Sequence, residues 1–287
     1  MPPAEPSRRR GEVFDDVAEA YDDARRGYPP SLVDAALRRG GLRAGSPVVE
    51  VGCGTGKLTE ALVARGLRVD GVDPGPRMIE VARRRVGDSD EVRFHVGRFE
   101  DVELPPGSFD AVFSATAFHW IDPSVGWRKA AELLRPGGLL ALLSHVPVAD
   151  AHTAGFDEGF RELWTTYNPE EPPWPPARDT ATLLADADRE RANVSEVWDE
   201  LQSRRHGLAV PEAADLFMDV ELRSAAETVE ETAEHALKVI RTTSGYLRLD
   251  PARRDAFEAD VRTLYARLGG TSRLPLLTVL VTAVTPA

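Results

Sequence analysis

Through the first half of the chain, short apolar runs alternate with stretches whose apolar residues recur every three to four positions. Pro47–Val51 (PVVEV) is such a run, bounded by Gly45–Ser46 and Gly52, and reads as a buried strand. Lys57–Arg65 follows as a helix, with Leu58, Ala61 and Leu62 on one face and Gly66 as its stop. The same alternation predicts strands at Leu67–Val72, Val92–Val96, Phe109–Ala115 and Leu139–Ser144, and helices at Arg77–Val86 and Pro123–Leu134. Strands regularly separated by helices pair in parallel through right-handed crossovers. The pattern therefore predicts an α/β fold built on a doubly wound, mostly parallel sheet.

After His145 the alternation stops. Residues 147–215 read as helical or irregular, with a Pro-rich stretch at Asn168–Pro176, and are expected to form a helical lid inserted after the fifth strand. Val220–Leu222 reads as a short strand, Val229–Thr243 and Pro251–Leu268 as helices, and Leu276–Thr285 as the last strand. Residues 1–10 are rich in Pro and Arg without periodicity and read as a disordered tail. Residues 11–287 then form one domain: a ligand-binding core at 30–146, the lid at 147–215, and C-terminal helices and last strands at 216–287.

Composition removes several functions. The 287 residues carry 35 basic and 47 acidic side chains, a net charge of −12, which opposes general affinity for a phosphate backbone; no nucleic-acid partner is expected. The single cysteine, Cys53, can form neither an internal disulfide nor a Cys-based zinc site, and the six histidines lack metal-ligand spacing, so no metal is expected. The opening MPPAEPSRRR has no signal-peptide core, and the most apolar stretch, Leu274–Val284, is about half the length that spans a bilayer. The expectation is a soluble, cytoplasmic chain with no membrane partner.

The chemistry concentrates in Glu50-Val-Gly52-Cys-Gly54-Thr-Gly56, where the first strand turns into a helix. Glycines there let the backbone turn sharply and approach a ligand, and the helix start beyond offers unpaired N–H groups. A phosphate-binding P-loop needs four residues between its glycines and a Lys followed by Ser or Thr; Gly52 and Gly56 enclose three, and Lys57 is followed by Leu58. A dinucleotide fingerprint is G-x-G-x-x-G, whereas this loop is G-x-G-x-G and has an acid, Glu50, before it. An acid there suits an ammonium group. Asp73 ends the second strand, beside the loop, where a carboxylate accepts both hydroxyls of a ribose. The ligand these features describe has a ribose and an amino-acid head and no phosphate. S-adenosyl-L-methionine fits.

Four runs, VVEVGCGTG, VDGVDPGPRMIEVA, GSFDAVFSATAFHWID and LLRPGG, resemble the class I S-adenosylmethionine-dependent methyltransferases. The resemblance is nearest to the small-molecule branch containing the trans-aconitate methyltransferase-like enzymes, and extends to FDDVAEAYDDARRGYP and, more loosely, to Ser244-Gly-Tyr246. It implies a seven-stranded Rossmann-like methyltransferase sheet. It also implies that Glu50, Gly52, Gly54 and Gly56 frame the methionine and ribose parts of the cofactor, that Asp73 holds the ribose diol, and that Met78 packs beside the adenine. Phe99 offers its backbone N–H to the adenine ring, and Ala115 closes the fourth strand beside it. Relatives carry an acid where Arg98 stands, so Glu100 is expected to take over the contact to the adenine amine. Tyr21 and Arg25 match the N-terminal Tyr and Arg that reach over the cofactor; Arg26 departs from the usual Pro.

A sulfonium methyl donor is already activated, so the protein chiefly positions the acceptor and excludes water. Where the acceptor is protonated, His119, just beyond the fourth strand, is the candidate base, with Trp120 as a pocket wall. The other reading is that both simply plug the strand end. His145, at the end of the fifth strand, is a second group within reach of an acceptor. The aromatics Trp164, Tyr167 and Trp174 in the lid, with Tyr246 beyond it, are expected to line the pocket of a small-molecule acceptor. Arg241 and Arg248 lie nearby and would suit a carboxylated substrate. The reaction expected is methyl transfer, with O-methylation favoured and a carboxylate as one candidate acceptor. A non-catalytic S-adenosylmethionine-binding regulator and a nicotinamide-dependent oxidoreductase are the alternatives.

Overall fold

The computed structural model describes residues 13–287 apart from 88, 151–152, 171–174 and 204–206. The tail expected at 1–10 lies outside the described residues. In chain order the elements are α1 (Ala18–Ala24), α2 (Pro30–Arg39), β1 (Pro47–Val51), α3 (Lys57–Val63), β2 (Arg68–Asp73), α4 (Pro76–Val86), β3 (Val92–Val96) and β4 (Phe109–Ala115). They continue with α5 (Pro123–Leu133), β5 (Leu134–Pro147), α6 (Ala154–Tyr167), α7 (Thr180–Arg189), α8 (Val194–Leu201), α9 (Ala213–Leu216) and β6 (Met218–Thr232). The chain closes with α10 (Ala233–Ile240), α11 (Ser244–Arg248), α12 (Pro251–Arg267) and β7 (Thr271–Val284).

The seven strands form one sheet in the order β3-β2-β1-β4-β5-β7-β6. The first five pair in parallel; β7 runs antiparallel between β5 and β6. The order reverses between β1 and β4, which is where ligands bind in such sheets, outside the carboxyl ends of the strands. Strand residues alternate between two buried faces, as side chains of period two must. Val49, Val51, Val112, Leu140 and Leu142 pack with α5, α7 and α8, while Val48, Val69, Ala111, Phe113 and Leu139 pack with α2 and α3.

Two expectations need correction. β6 is far longer than Val220–Leu222, and the helix expected from Val229 begins only at Ala233. β6 is an edge strand with a mostly exposed, Glu-rich sequence, and its partner β7 holds it by a continuous ladder from Glu221↔Thr282 to Thr232↔Thr271. The segment 147–215 is also not one layer. Leu183, Ala187, Val194, Trp198 and Leu201 from α7 and α8 are buried in the main core. α6 instead joins α10, α11 and α12 in a separate cluster around Trp164, Leu237, Phe257 and Tyr265.

Candidate active site

The floor of the site is the turn between β1 and α3. Gly52 has φ +68°, donates its N–H to the Val72 carbonyl at 2.8 Å, and has no room for a side chain: a Cβ would lie 2.3 Å from that of Ala117. Gly54, at φ +52°, donates its N–H to Asp73 Oδ2 at 2.9 Å, and Gly75 donates to Oδ1 at 2.8 Å. These bonds fix the Asp73 carboxylate at the end of β2 facing the loop. Burial nevertheless pushes its pKa up to about 6, against the pull of the two N–H groups. Glu50 is 1% exposed, accepts the Thr59 hydroxyl at 2.6 Å, and is pushed up to about 8 by burial. It reaches ligand space through a small cleft of about 110 Å³ that it shares with Tyr21, Arg25, Gly52 and Gly54. Gly56, at φ +81°, also serves packing: its missing Cβ would meet Ala82 Cβ at 3.0 Å, so it lets α3 pack on α4.

Above this floor lies a cavity of about 570 Å³. Met78 and the buried Phe99 form an apolar wall beside Asp73, and Ala115, His119 and Trp120 form the wall on the β4 side. Glu100 is present, but its Oε1 accepts from Arg98 Nη2 at 2.8 Å and from the Asp122 N–H at 3.1 Å. The arginine in the acid's usual position thus neutralises the acid expected to replace it. His119 sits on a short 3-10 turn, Phe118–Trp120, with its ring 4.8 Å from that of Trp120. Thr116, at φ +53°, is strained where β4 enters the site, and its hydroxyl meets the Tyr28 hydroxyl at 2.8 Å.

The N-terminal segment closes the cavity as a strap. Phe14, the first residue of the FDDVAEAYDDARRGYP run and given no role there, stands edge-on to both Tyr21 and Trp120, at 5.6 and 5.8 Å. Asp15 Oδ1 accepts the Arg77 and Met78 N–H groups at the start of α4. Arg25 lies 5.1 Å from the centroid of the Tyr21 ring and donates to the Thr242 hydroxyl and carbonyl. Asp22 accepts from Arg85 at 2.6 and 2.7 Å and pairs with Lys57 at 3.2 Å, docking α1 on α3 and α4.

The expected aromatic acceptor pocket is not where the sequence put it. Trp164 is buried over Gly245, where a Cβ would lie 2.5 Å from its ring. Tyr167 donates to Asp260 and packs edge-on against Phe257, and Tyr246 donates to Glu258. All three belong to the helical cluster and none lines the cavity. Arg241 is bound to Glu258 by two hydrogen bonds, which hold that carboxyl at about 2, so it is not a substrate anchor. Trp174 lies outside the described residues. His145 is in place. Its ring stacks on Tyr28 at 4.9 Å, Nδ1 meets the Thr278 hydroxyl at 2.9 Å, and Nε2 is buried without a hydrogen bond among the described residues. Burial, then the nearby Arg25 cation, lower its pKa and keep it neutral. His145, Arg25, Pro147 and Gln202 also line a second cavity of about 500 Å³. Among the described residues no group of three or more His, Cys, Asp or Glu could hold a metal, and no helix is long and apolar enough to cross a membrane.

This geometry has counterparts. Residues 49–142 match a family of methyltransferase domains. The chain is 40% identical over 130 residues to an uncharacterized methyltransferase of Mycobacterium tuberculosis, covering 45% of this chain and 51% of that one. It is 40% identical over 112 residues to a ubiquinone biosynthesis O-methyltransferase of Xanthomonas campestris, covering 37% and 47%. The chain thus spans about half the length of the curated relatives it matches. A solved structure from Anaeromyxobacter dehalogenans, described as a candidate type II methyltransferase, superposes with a TM-score of 0.57 at 22% identity over 91% of this chain and 96% of that one. The fold is the Rossmann-like methyltransferase fold. S-adenosyl-L-methionine is the cofactor of such domains, and the residues present fit it. Two buried carboxyl groups, Glu50 and Asp73, stand beside the turn where an ammonium group and a diol would lie, an arginine lies within reach of a carboxylate, and an apolar wall suits a planar base.

Proposed function

We propose that the protein is an S-adenosylmethionine-dependent methyltransferase acting on a small-molecule acceptor, with O-methylation favoured. The observation that carries this reading is the pairing of Asp73 and Glu50 around the Gly52–Gly54 turn at the reversal of strand order. When bound, the cofactor supplies an activated methyl group on sulfur. Asp73 would hold the ribose hydroxyls, Glu50 the ammonium group, Arg25 the carboxylate, and Met78 and Phe99 the adenine. The strap of Phe14, Tyr21 and Arg25 would exclude water, which strengthens these polar contacts.

Oxygen as the receiving atom is supported by the relative named as an O-methyltransferase and by two histidines on the cavity wall. His119 and His145 are both candidates for the acceptor's proton. Position favours His145, because it stands where the two cavities meet and its buried Nε2 makes no hydrogen bond of normal geometry among the described residues. It acts as a base at Nε2 when Nδ1 carries the proton and donates to the Thr278 hydroxyl. His119 would then wall the cofactor side together with Trp120. A branch resembling the trans-aconitate methyltransferase-like enzymes is the finer assignment we infer from the sequence runs above.

The test is binding followed by transfer. Calorimetry should show one site for S-adenosylmethionine, and incubation of labelled cofactor with a metabolite extract should yield a methylated small molecule by mass spectrometry. Absence of cofactor binding overturns the reading. Binding with no transfer to any acceptor would leave a regulator in place of an enzyme.

A further inference from the structure

The second cavity is absorbed by nothing above, and three observations on its wall point to a particular ligand. Its sides are apolar: Val146, Val148, Phe156, Phe160, Val239 and Leu276 line it, with the two phenylalanine rings stacked at 5.9 Å. Its inner end meets the cofactor cavity at Gln202 and His145, whose Nε2 atoms are both buried and lack hydrogen bonds among the described residues. A buried polar nitrogen without a partner is costly, and two on residues that line both cavities mark the junction as a place where a polar ligand atom belongs, reached by a side-chain rotation that exposes them. At its other end is Glu231, 7% exposed, which accepts the Tyr265 hydroxyl on Oε2 at 2.9 Å; Oε1 has only His235 Nδ1, 3.9 Å away.

Strand register gives the length. His145 pairs with Thr278, which pairs with Ala225 on β6, and Glu231 lies six residues further along that strand. At roughly 3.3 Å per residue the two polar ends are separated by about 20 Å of strand.

We infer that this cavity is the acceptor pocket, and that the acceptor is an elongated, largely apolar molecule with a hydroxyl at the cofactor end and a second hydrogen-bond donor at the far end. The inference rests on the methyltransferase reading. Gln202 Nε2 donates to the acceptor oxygen, and His145 Nε2 takes its proton as the oxygen–methyl bond forms and the sulfur–methyl bond breaks. The distal donor binds Glu231 Oε1. The apolar walls bury the body between, the usual division of labour in a small-molecule site.

Decane-1,10-diol and 1-decanol separate this from a plain greasy cleft, because a purely apolar cavity prefers the less polar decanol. Calorimetry is performed on the full chain with S-adenosylhomocysteine present. One molecule of each should bind, the diol roughly tenfold tighter, as one hydrogen bond to a carboxylate provides. Glu231→Gln should reduce the diol's advantage to about twofold and leave decanol unchanged. Val239→Trp should abolish binding of both. Neither residue lines the cofactor cavity, so S-adenosylhomocysteine affinity should stay the same in both variants. Decanol binding more tightly than the diol, diol binding that survives Val239→Trp, or displacement of the diol by S-adenosylhomocysteine would each overturn the inference while the methyltransferase reading stands. If the protein binds no S-adenosylhomocysteine, that reading falls, and the diol comparison on the protein alone still decides whether the cavity takes this ligand class.

Discussion

Glu50 has a protonation state that the ligand should change. Burial holds its pKa at about 8, so the carboxyl keeps its proton near neutral pH, whereas the form that pairs with an ammonium group is the carboxylate. Cofactor binding should therefore release protons below pH 8, and affinity should rise as pH climbs from 6 to 8. Calorimetry in buffers of different ionisation enthalpy measures this directly. The linkage to stability has a definite sign. Between its ordinary value near 4.5 and about 8 the folded protein holds a proton that the unfolded chain has lost, so this residue's contribution makes stability fall as pH rises through that window. Glu50→Gln should flatten that decline, gaining up to a few kcal/mol at pH 8, while weakening cofactor binding by about 1.5–3 kcal/mol. A variant with wild-type affinity would remove Glu50 from the ammonium site. At this scale the sequence was readable wherever a residue acts through a turn of fixed spacing: Gly52, Gly54 and Asp73 are where the motif placed them. It was unreadable for Trp164, Tyr167 and Tyr246. Aromatics close in sequence signal burial, but which of two clusters buries them is decided by helix packing. Gln202 carried no local signal at all, and Phe14 lay in a run whose resemblance gave it no role.

Among the elements, strands held from both faces announce themselves. The expected bounds of β1 and β4 agree with the structure because their residues alternate between two buried faces, and β3, a half-buried edge strand, keeps its expected bounds through its β-branched and aromatic residues. β6 escaped because backbone pairing with β7 holds it in place of apolar contacts, and its row of glutamates reads as helix or loop. The burial of α7 and α8 bears on function: Trp198 and Val194 are fully buried, so this half of 147–215 cannot swing away without opening the core. Hydrogen exchange in α8 should be slow with or without ligand; rapid exchange that slows only on ligand binding would restore a lid there. The element placed to move is α1 with its strap, because it is held to α3 and α4 by a small apolar cluster of Ala18, Met78 and Val81 and by the charges of Asp22, Arg85 and Lys57. Asp22→Ala should loosen the strap at a cost of about 1 kcal/mol, since these groups are partly exposed, and lower cofactor affinity severalfold at low salt. The difference from wild type should shrink as salt rises. Equal affinities at low salt would show that the strap does not depend on this latch.

The whole molecule is tied together by β7, which the chain lays down last and the sheet needs near its middle. β7 pairs with β5 from Leu139↔Val284 to Pro147↔Leu276, and its Leu277, Val279 and Val281 enter the same core as Val49 and Val112 of the segment similar to methyltransferase domains and Trp198 of α8. The presence of a final strand was legible in its apolar run, but not its place between β5 and β6, because strand order follows from which edges remain unpaired. A chain ending after β5 would expose the backbone edge of that strand and the apolar faces of Leu140 and Leu142, a surface that aggregates. Residues 49–142, although they match a family model alone, should therefore not fold as a separate unit, and the full chain should melt in one cooperative transition. S-adenosylhomocysteine at a hundred times its dissociation constant should raise stability by about 2.7 kcal/mol. For a chain of this size that shifts the melting temperature by roughly 4–5 °C, and the whole transition should move together. Scanning calorimetry with and without the ligand provides the measurement. Two transitions, of which the ligand shifts only one, would mean that the helical cluster around Phe257 is a separately stable body, and that the acceptor cavity bordered by α6 and α10 lies on a movable boundary.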